Sequence, residues 1–161
     1  MKTAAHNVAF IVEDNEMYST MMGHMLTVDC ECRFISFKTG EECIQNLYMN
    51  PFLIILDYGL PGINGLETIK EIKKYNQDIP IVILTGKNDM SIARDFFNAG
   101  AYDYVVKEKT AVHRIIKIVN TILSDRNKKI EGQNKNQGAW IFRGLMLVIF
   151  FTILLMKMLN P

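Results

Sequence analysis

The chain has 161 residues, 22% charged and 49% hydrophobic, with a formal net charge of +1. That composition supports a packed core and excludes wholesale disorder, and the length suits one domain plus an appendage. The near-neutral balance gives no general argument for nucleic-acid binding, which shows as a strong basic bias.

The first apolar run, Val8–Val12, is too short for the core of a signal peptide and passes straight into Glu13 and Asp14. It reads as a buried strand. Met17, Met21, Met22 and Met25 follow at helical spacing, as core or groove filler. Cys32–Phe37 is β-rich. The cysteines are Cys30, Cys32 and Cys43, an odd count that does not suggest a disulfide framework. Without a second pair or a nearby histidine they read as buried, reduced thiols, implying a reducing compartment. Thr39 is a candidate helix N-cap, with Glu41 and Glu42 in the first turn where the helix dipole favours acids. Leu53–Asp57 is the third strand, and Leu66, Ile69 and Ile72 continue at helical spacing. Ile81–Thr85 is the fourth strand, and Met90–Ala99 a helix stopped by Gly100. Tyr102–Lys107 is the fifth strand. Val112, Ile115, Ile116, Val119, Ile122 and Leu123 line one face of a last helix. His6, His24 and His113 are scattered without partners and read as exposed or structural.

Five βα units thus fill about 125 residues. Continuous apolar strands are buried on both faces, as in a parallel sheet covered by helices. Right-handed crossovers then give a doubly wound α/β domain, which gathers ligands at the carboxyl ends of its strands. Glu13 and Asp14 end the first strand, Asp57 the third, Thr85 the fourth and Lys107 the fifth. Any one of these alone reads as a turn former or cap. Together, three carboxylates invite a small hard cation such as Mg²⁺, which commonly bridges carboxylates to phosphate. Lys107 adds a compact positive charge and Thr85 a hydroxyl donor. Asp57 is the natural nucleophile, since aspartyl phosphate is an established covalent intermediate.

The stretch ILDYGLPGINGLETI resembles the phosphorylation segment of response-regulator receiver domains, with Pro61, Gly62 and Gly65 at the family's turn and helix start. Glu13-Asp14 resembles the family's acidic pair, Thr85-Gly86 its hydroxyl motif, and Gly100–Lys107 its last motif. The resemblance covers about residues 7–125. It implies a flavodoxin-like five-stranded parallel fold, with Asp57 as phosphoacceptor and Mg²⁺ held by Glu13, Asp14, Asp57 and the backbone carbonyl of Gly59. The implied donor is a sensor histidine kinase or histidine phosphotransfer protein. Thr85 and Tyr104 would move inward on phosphorylation and repack a downstream docking surface made by helix 4, strand 5 and helix 5. Such a protein is a phosphoacceptor rather than an enzyme with a separate substrate. Glu108 departs from the pattern, standing where the family usually has a cis proline.

A phosphorylation-independent pseudo-receiver is the alternative, but those usually lose an acid, the Thr or the Lys. An aspartyl-phosphate phosphatase would carry Asp-x-Asp, where this chain has Asp57-Tyr58-Gly59. A dinucleotide domain would have a Gly-rich loop after the first strand.

The expected organisation is a receiver at 1–125, a polar linker or frayed helix extension at 126–138 and a hydrophobic helix at 139–159. Gly144–Met156 is apolar all round, unlike an interfacial helix. Trp140 to Met158 as a helix would span about 28 Å, close to a bilayer core of about 30 Å. Trp140 suits an interface, and Arg143 and Lys157 could snorkel. Arg126, Lys128, Lys129 and Lys135 precede the span, which predicts a cytoplasmic receiver anchored to the inner membrane. No room follows the receiver for a helix-turn-helix, so no nucleic-acid partner is expected.

Overall fold

The computed structural model describes residues 7–30, 32–86, 90–130 and 145–147. The chain divides into two compact units, Met1–Asn120 and Thr121–Pro161. In the first, five strands form a wholly parallel sheet: β1 (Val8–Val12), β2 (Arg33–Phe37), β3 (Leu53–Asp57), β4 (Ile81–Thr85) and β5 (Asp103–Val106). Their order is β2-β1-β3-β4-β5, the flavodoxin-like arrangement expected above. Every residue of β3 and β4 is buried, as is most of β1, whereas the edge strands β2 and β5 are only partly covered. This is why the three central strands are continuous apolar runs up to their last residue and β2 is mixed.

The helices are α1 (Glu16–Asp29), α2 (Gly40–Gln45), α3 (Gly65–Tyr75) and α4 (Met90–Asn98), with α5 over 111–130. Side-chain oxygens of Asn15, Thr39 and Asn64 cap α1, α2 and α3 by accepting from the N–H groups of Tyr18, Glu42 and Glu67. Gly100, at φ +99°, ends α4 in a paired cap, its N–H donating to Phe97 O and that of Ala101 to Phe96 O. Gly65 allows a close approach: a Cβ there would lie 3.1 Å from the Asp57 carbonyl oxygen. α3 therefore starts hard against the end of β3.

Two features bear on the expected organisation. α5 continues to 130, through the first residues of the stretch read as a polar linker. Arg126, Lys128 and Lys129 are good helix formers, and Lys128 Nζ lies 3.5 Å from Asp125 Oδ1 at i,i+3 spacing. In addition, no helix among the described residues is long and apolar enough to cross a membrane. The transmembrane-type helix expected over 139–159 lies outside the described residues apart from 145–147, which are helical.

Ile54 is fully buried at the centre of the core, where β3 pairs with both β1 and β4. Ile54→Ala is expected to cost about 2–5 kcal/mol in a urea or thermal unfolding experiment. A cost below about 1 kcal/mol would contradict this placement of β3.

Candidate functional site

The order 2-1-3-4-5 puts the topological switch between β1 and β3, where a doubly wound sheet opens its ligand crevice. The residues after these two strands are the acids. The Glu13 N–H donates to Phe37 O at 3.0 Å, extending the β1–β2 ladder one residue past β1. The Asn15 N–H lies 3.4 Å from Glu13 Oε1, and Asn15 Oδ1 accepts from the Tyr18 N–H at 3.0 Å. The acidic pair is thereby pinned between a strand end and a helix start. Asp57 is the last residue of β3, and the next N–H, of Tyr58, donates to Leu84 O at 2.8 Å. The Lys107 N–H donates to Thr85 O at 2.6 Å, carrying the β4–β5 ladder up to the lysine.

These placements bring one carboxylate oxygen each from Glu13, Asp14 and Asp57 within 4.8 Å of one another. Glu13 and Asp57 are buried, at 2% and 6% exposure, while Asp14 is exposed. Lys107 Nζ lies 2.6 Å from Glu13 Oε2 and 3.0 Å from Asp57 Oδ2. Burial pushes the Glu13 carboxyl above its usual range; the hydrogen bond from Lys107 opposes this and the Asp57 charge adds to it. For Lys107, burial works against the ammonium, yet hydrogen bonds and charge from the two acids outweigh it and raise its pKa. Three carboxylates thus face one ammonium, an imbalance that favours a further cation. The donors are all oxygens, two of them buried, and this set suits a hard divalent ion such as Mg²⁺.

The other expected residues gather around this pocket. Thr85 is fully buried at the end of β4. A Cβ on Gly59 would sit 3.7 Å from Asp57 Oδ2, which places Gly59 beside the acid. No peptide bond among the described residues is cis, so Lys107 reaches the acids through a trans bond to Glu108. The Tyr104 ring is already inward, at 9% exposure, with its centroid 6.5 Å from that of Phe96 on α4. Phe96 in turn meets Tyr58 edge-on at 5.6 Å. A row of three rings therefore joins the neighbour of Asp57 to β5.

Two site residues escaped the sequence reading. Tyr18, on the first turn of α1, presents its ring to Lys107, with Nζ 5.0 Å from the centroid. Burial raises its phenol above the usual value, so at neutral pH the ring is uncharged. An aromatic one helical turn beyond an acidic pair was the available signal. Glu41, read only as a first-turn acid, accepts at Oε1 from the Ile63 N–H at 2.9 Å. That bond holds its carboxyl below the usual range. It also ties the Pro61–Gly62–Ile63 turn, with Gly62 at φ +79°, to the start of α2.

Comparison with known proteins agrees with this geometry. The chain is 28% identical over 136 residues to the regulatory protein LuxO of Vibrio cholerae, covering 83% of this chain and 30% of that one. It is 29% identical over 102 residues to the DNA-binding transcriptional regulator NtrC of Klebsiella pneumoniae, covering 62% of this chain and 21% of that one. The chain therefore spans less than a third of either relative's length. The fold superposes on a CheY-like response regulator receiver domain protein from Methanospirillum hungatei with a TM-score of 0.66 at 19% identity, over 77% of this chain and 99% of that one. Residues 9–120 match the sequence profile of the response regulator receiver domain. That match takes in well over half of the chain, and the chain belongs to the response regulator receiver domain family.

Proposed function

We propose that Asp57 accepts a phosphoryl group from a phosphohistidine on a sensor histidine kinase or histidine phosphotransfer protein. The observation that carries this is the Lys107 ammonium 3.0 Å from Asp57 Oδ2 in a pocket walled by Glu13 and Asp14. In the transfer, an Asp57 carboxylate oxygen attacks phosphorus. The P–O bond forms as the P–N bond breaks, and the electron pair of that bond stays on the imidazole nitrogen. Lys107 pairs with one phosphoryl oxygen and the Thr85 hydroxyl donates to another. Glu13, Asp14, Asp57 and the Gly59 carbonyl would hold Mg²⁺. When bound, it neutralises charge on the transferring group. The chain is the acceptor of its own reaction rather than an enzyme turning over a separate substrate. The full set of acids, Thr85 and Lys107 is what favours this over a pseudo-receiver.

The output is a change in the surface of α4, β5 and α5, read by a downstream protein. Support for it comes from the ring row Tyr58, Phe96 and Tyr104. Because Tyr104 is already inward, the switch in this chain consists of Thr85 and α4 adjusting around a seated ring. A groove of about 430 Å³ between the loop after β3 and α4, lined by Leu60, Leu66, Ile92 and Asp95, leaves α4 space to shift. The receiver sits in the cytoplasm, tethered to the inner membrane through 139–159. This rests on the apolar run Gly144–Met156 and the basic residues before it.

Acetyl phosphate with Mg²⁺ is expected to add the mass of one phosphoryl group to the wild-type chain and none to Asp57→Asn. An unlabelled wild type, under conditions that label another receiver, would sink the proposal. Mg²⁺ at ten times its dissociation constant is expected to raise the unfolding free energy by about 1.4 kcal/mol. Asp14→Asn, by removing a ligand, is expected to abolish most of that gain in a melting experiment. For the tether, the full chain is expected in the membrane fraction and released by detergent but not by salt. Recovery in the soluble fraction overturns it.

A further inference from the structure

We propose that Tyr18 is a positioning residue for the phosphotransfer, its ring face holding the Lys107 ammonium against Asp57. This rests on the phosphoacceptor reading above and adds to it a residue that acts through the lysine.

A lysine ammonium is a compact charge on a flexible four-carbon stem, so it must be located by what surrounds it. Lys107 leaves the end of β5, and β4 stands between that strand and β3. Its Nζ is 2.6 Å from Glu13, 3.0 Å from Asp57 and 5.0 Å from the Tyr18 centroid. The ring distance lies inside the range of about 6 Å over which an aromatic face attracts a cation. The Lys107 side chain is 22% exposed and is therefore not fixed by burial alone. The ring supplies a further point of attachment.

The local fold ties the ring to the acids. Asn15 accepts from the Tyr18 N–H, and the Asn15 N–H approaches Glu13 Oε1. One turn thus sets both the carboxylate and the arene that flank the lysine. Tyr18 is half-buried, with its ring face under the Lys107 ammonium. The contact also suits the reaction. A neutral ring attracts the ammonium without competing, as a carboxylate does, for the charge that Lys107 must deliver to the phosphoryl oxygens.

The test compares Tyr18→Phe, which keeps the ring face, with Tyr18→Leu, which keeps apolar bulk without it. In the metal-free protein the Hε protons of Lys107 are expected to be displaced upfield by the ring in wild type and Tyr18→Phe, and to return to ordinary values in Tyr18→Leu. The rate of Asp57 phosphorylation by acetyl phosphate is expected to fall about three- to thirtyfold in Tyr18→Leu, the range such a contact supplies. In Tyr18→Phe it stays within about twofold of wild type. If Tyr18→Leu does not fold, a fluorinated phenylalanine at position 18 keeps the shape, removes the negative ring face and is expected to give the same slow rate. Undisplaced Lys107 signals in wild type overturn the proposal. So do a Tyr18→Leu rate equal to wild type and a Tyr18→Phe loss as large as that of Tyr18→Leu. If wild type takes no phosphoryl group at all, the phosphoacceptor reading fails. The proton signals still decide whether the ring holds the lysine.

Discussion

Lys107 extends from the far edge of the sheet, and its ammonium settles between carboxylates that belong to β1 and β3. That contact joins the end of β5 to the ends of β1 and β3. It is possible only because the sheet is parallel and ordered 2-1-3-4-5, so that every strand delivers its last side chains to the same edge. The backbone register sets the start of each reach. Lys107 is held by its N–H on Thr85 O, and Tyr58, next to Asp57, by its N–H on Leu84 O. The bonds that build the ladder therefore also fix the site. A buried carboxylate without a partner is costly, and one ammonium shared by two acids relieves that cost only in part. The remaining negative charge is what suits the pocket to a divalent cation.

Much of this is legible in the sequence because it depends on local chemistry. The central strands announce themselves as apolar runs, since burial on both faces leaves no room for alternation. The caps at Thr39 and Gly100 act within a few residues and were read correctly for the same reason. The acids, Thr85 and Lys107 follow once the strand ends are known. What the sequence did not yield depends on side-chain direction across elements. Tyr18 approaches Lys107 and Glu41 approaches Ile63 over long separations in the chain. Each also has a plausible local role that hides the other. The extension of α5 to 130 is one of two readings left open, because a run of polar residues that helices tolerate reads equally well as a linker.

Glu41 and Gly65 bound the loop after Asp57 from its two ends. The first holds the turn at Ile63, and the second lets α3 begin against the Asp57 carbonyl. Between them, Gly62 adopts a left-handed conformation that few other residues accept. The loop that carries Gly59 beside the acid is thus constrained at several points. Such constraint is what a site needs when its chemistry is mostly placement of charge.

Rigidity on that side decides where a signal can leave. β1, β3 and β4 are buried throughout or nearly so, and their ends are fixed by ladder bonds. α1 is anchored to the acidic pair through Asn15, and α2 to the loop through Glu41. α4 is different. It faces a groove on the side of the β3 loop, and it meets the site through the ring of Phe96, which lies between Tyr58 and Tyr104. Ring contacts of this kind permit sliding and tilting that a hydrogen-bonded ladder does not. A charge added at Asp57 would therefore meet ladder-bonded strand ends on the β1 side and ring packing at α4. That asymmetry in packing, beside the resemblance to a family, is what supports the proposed output surface.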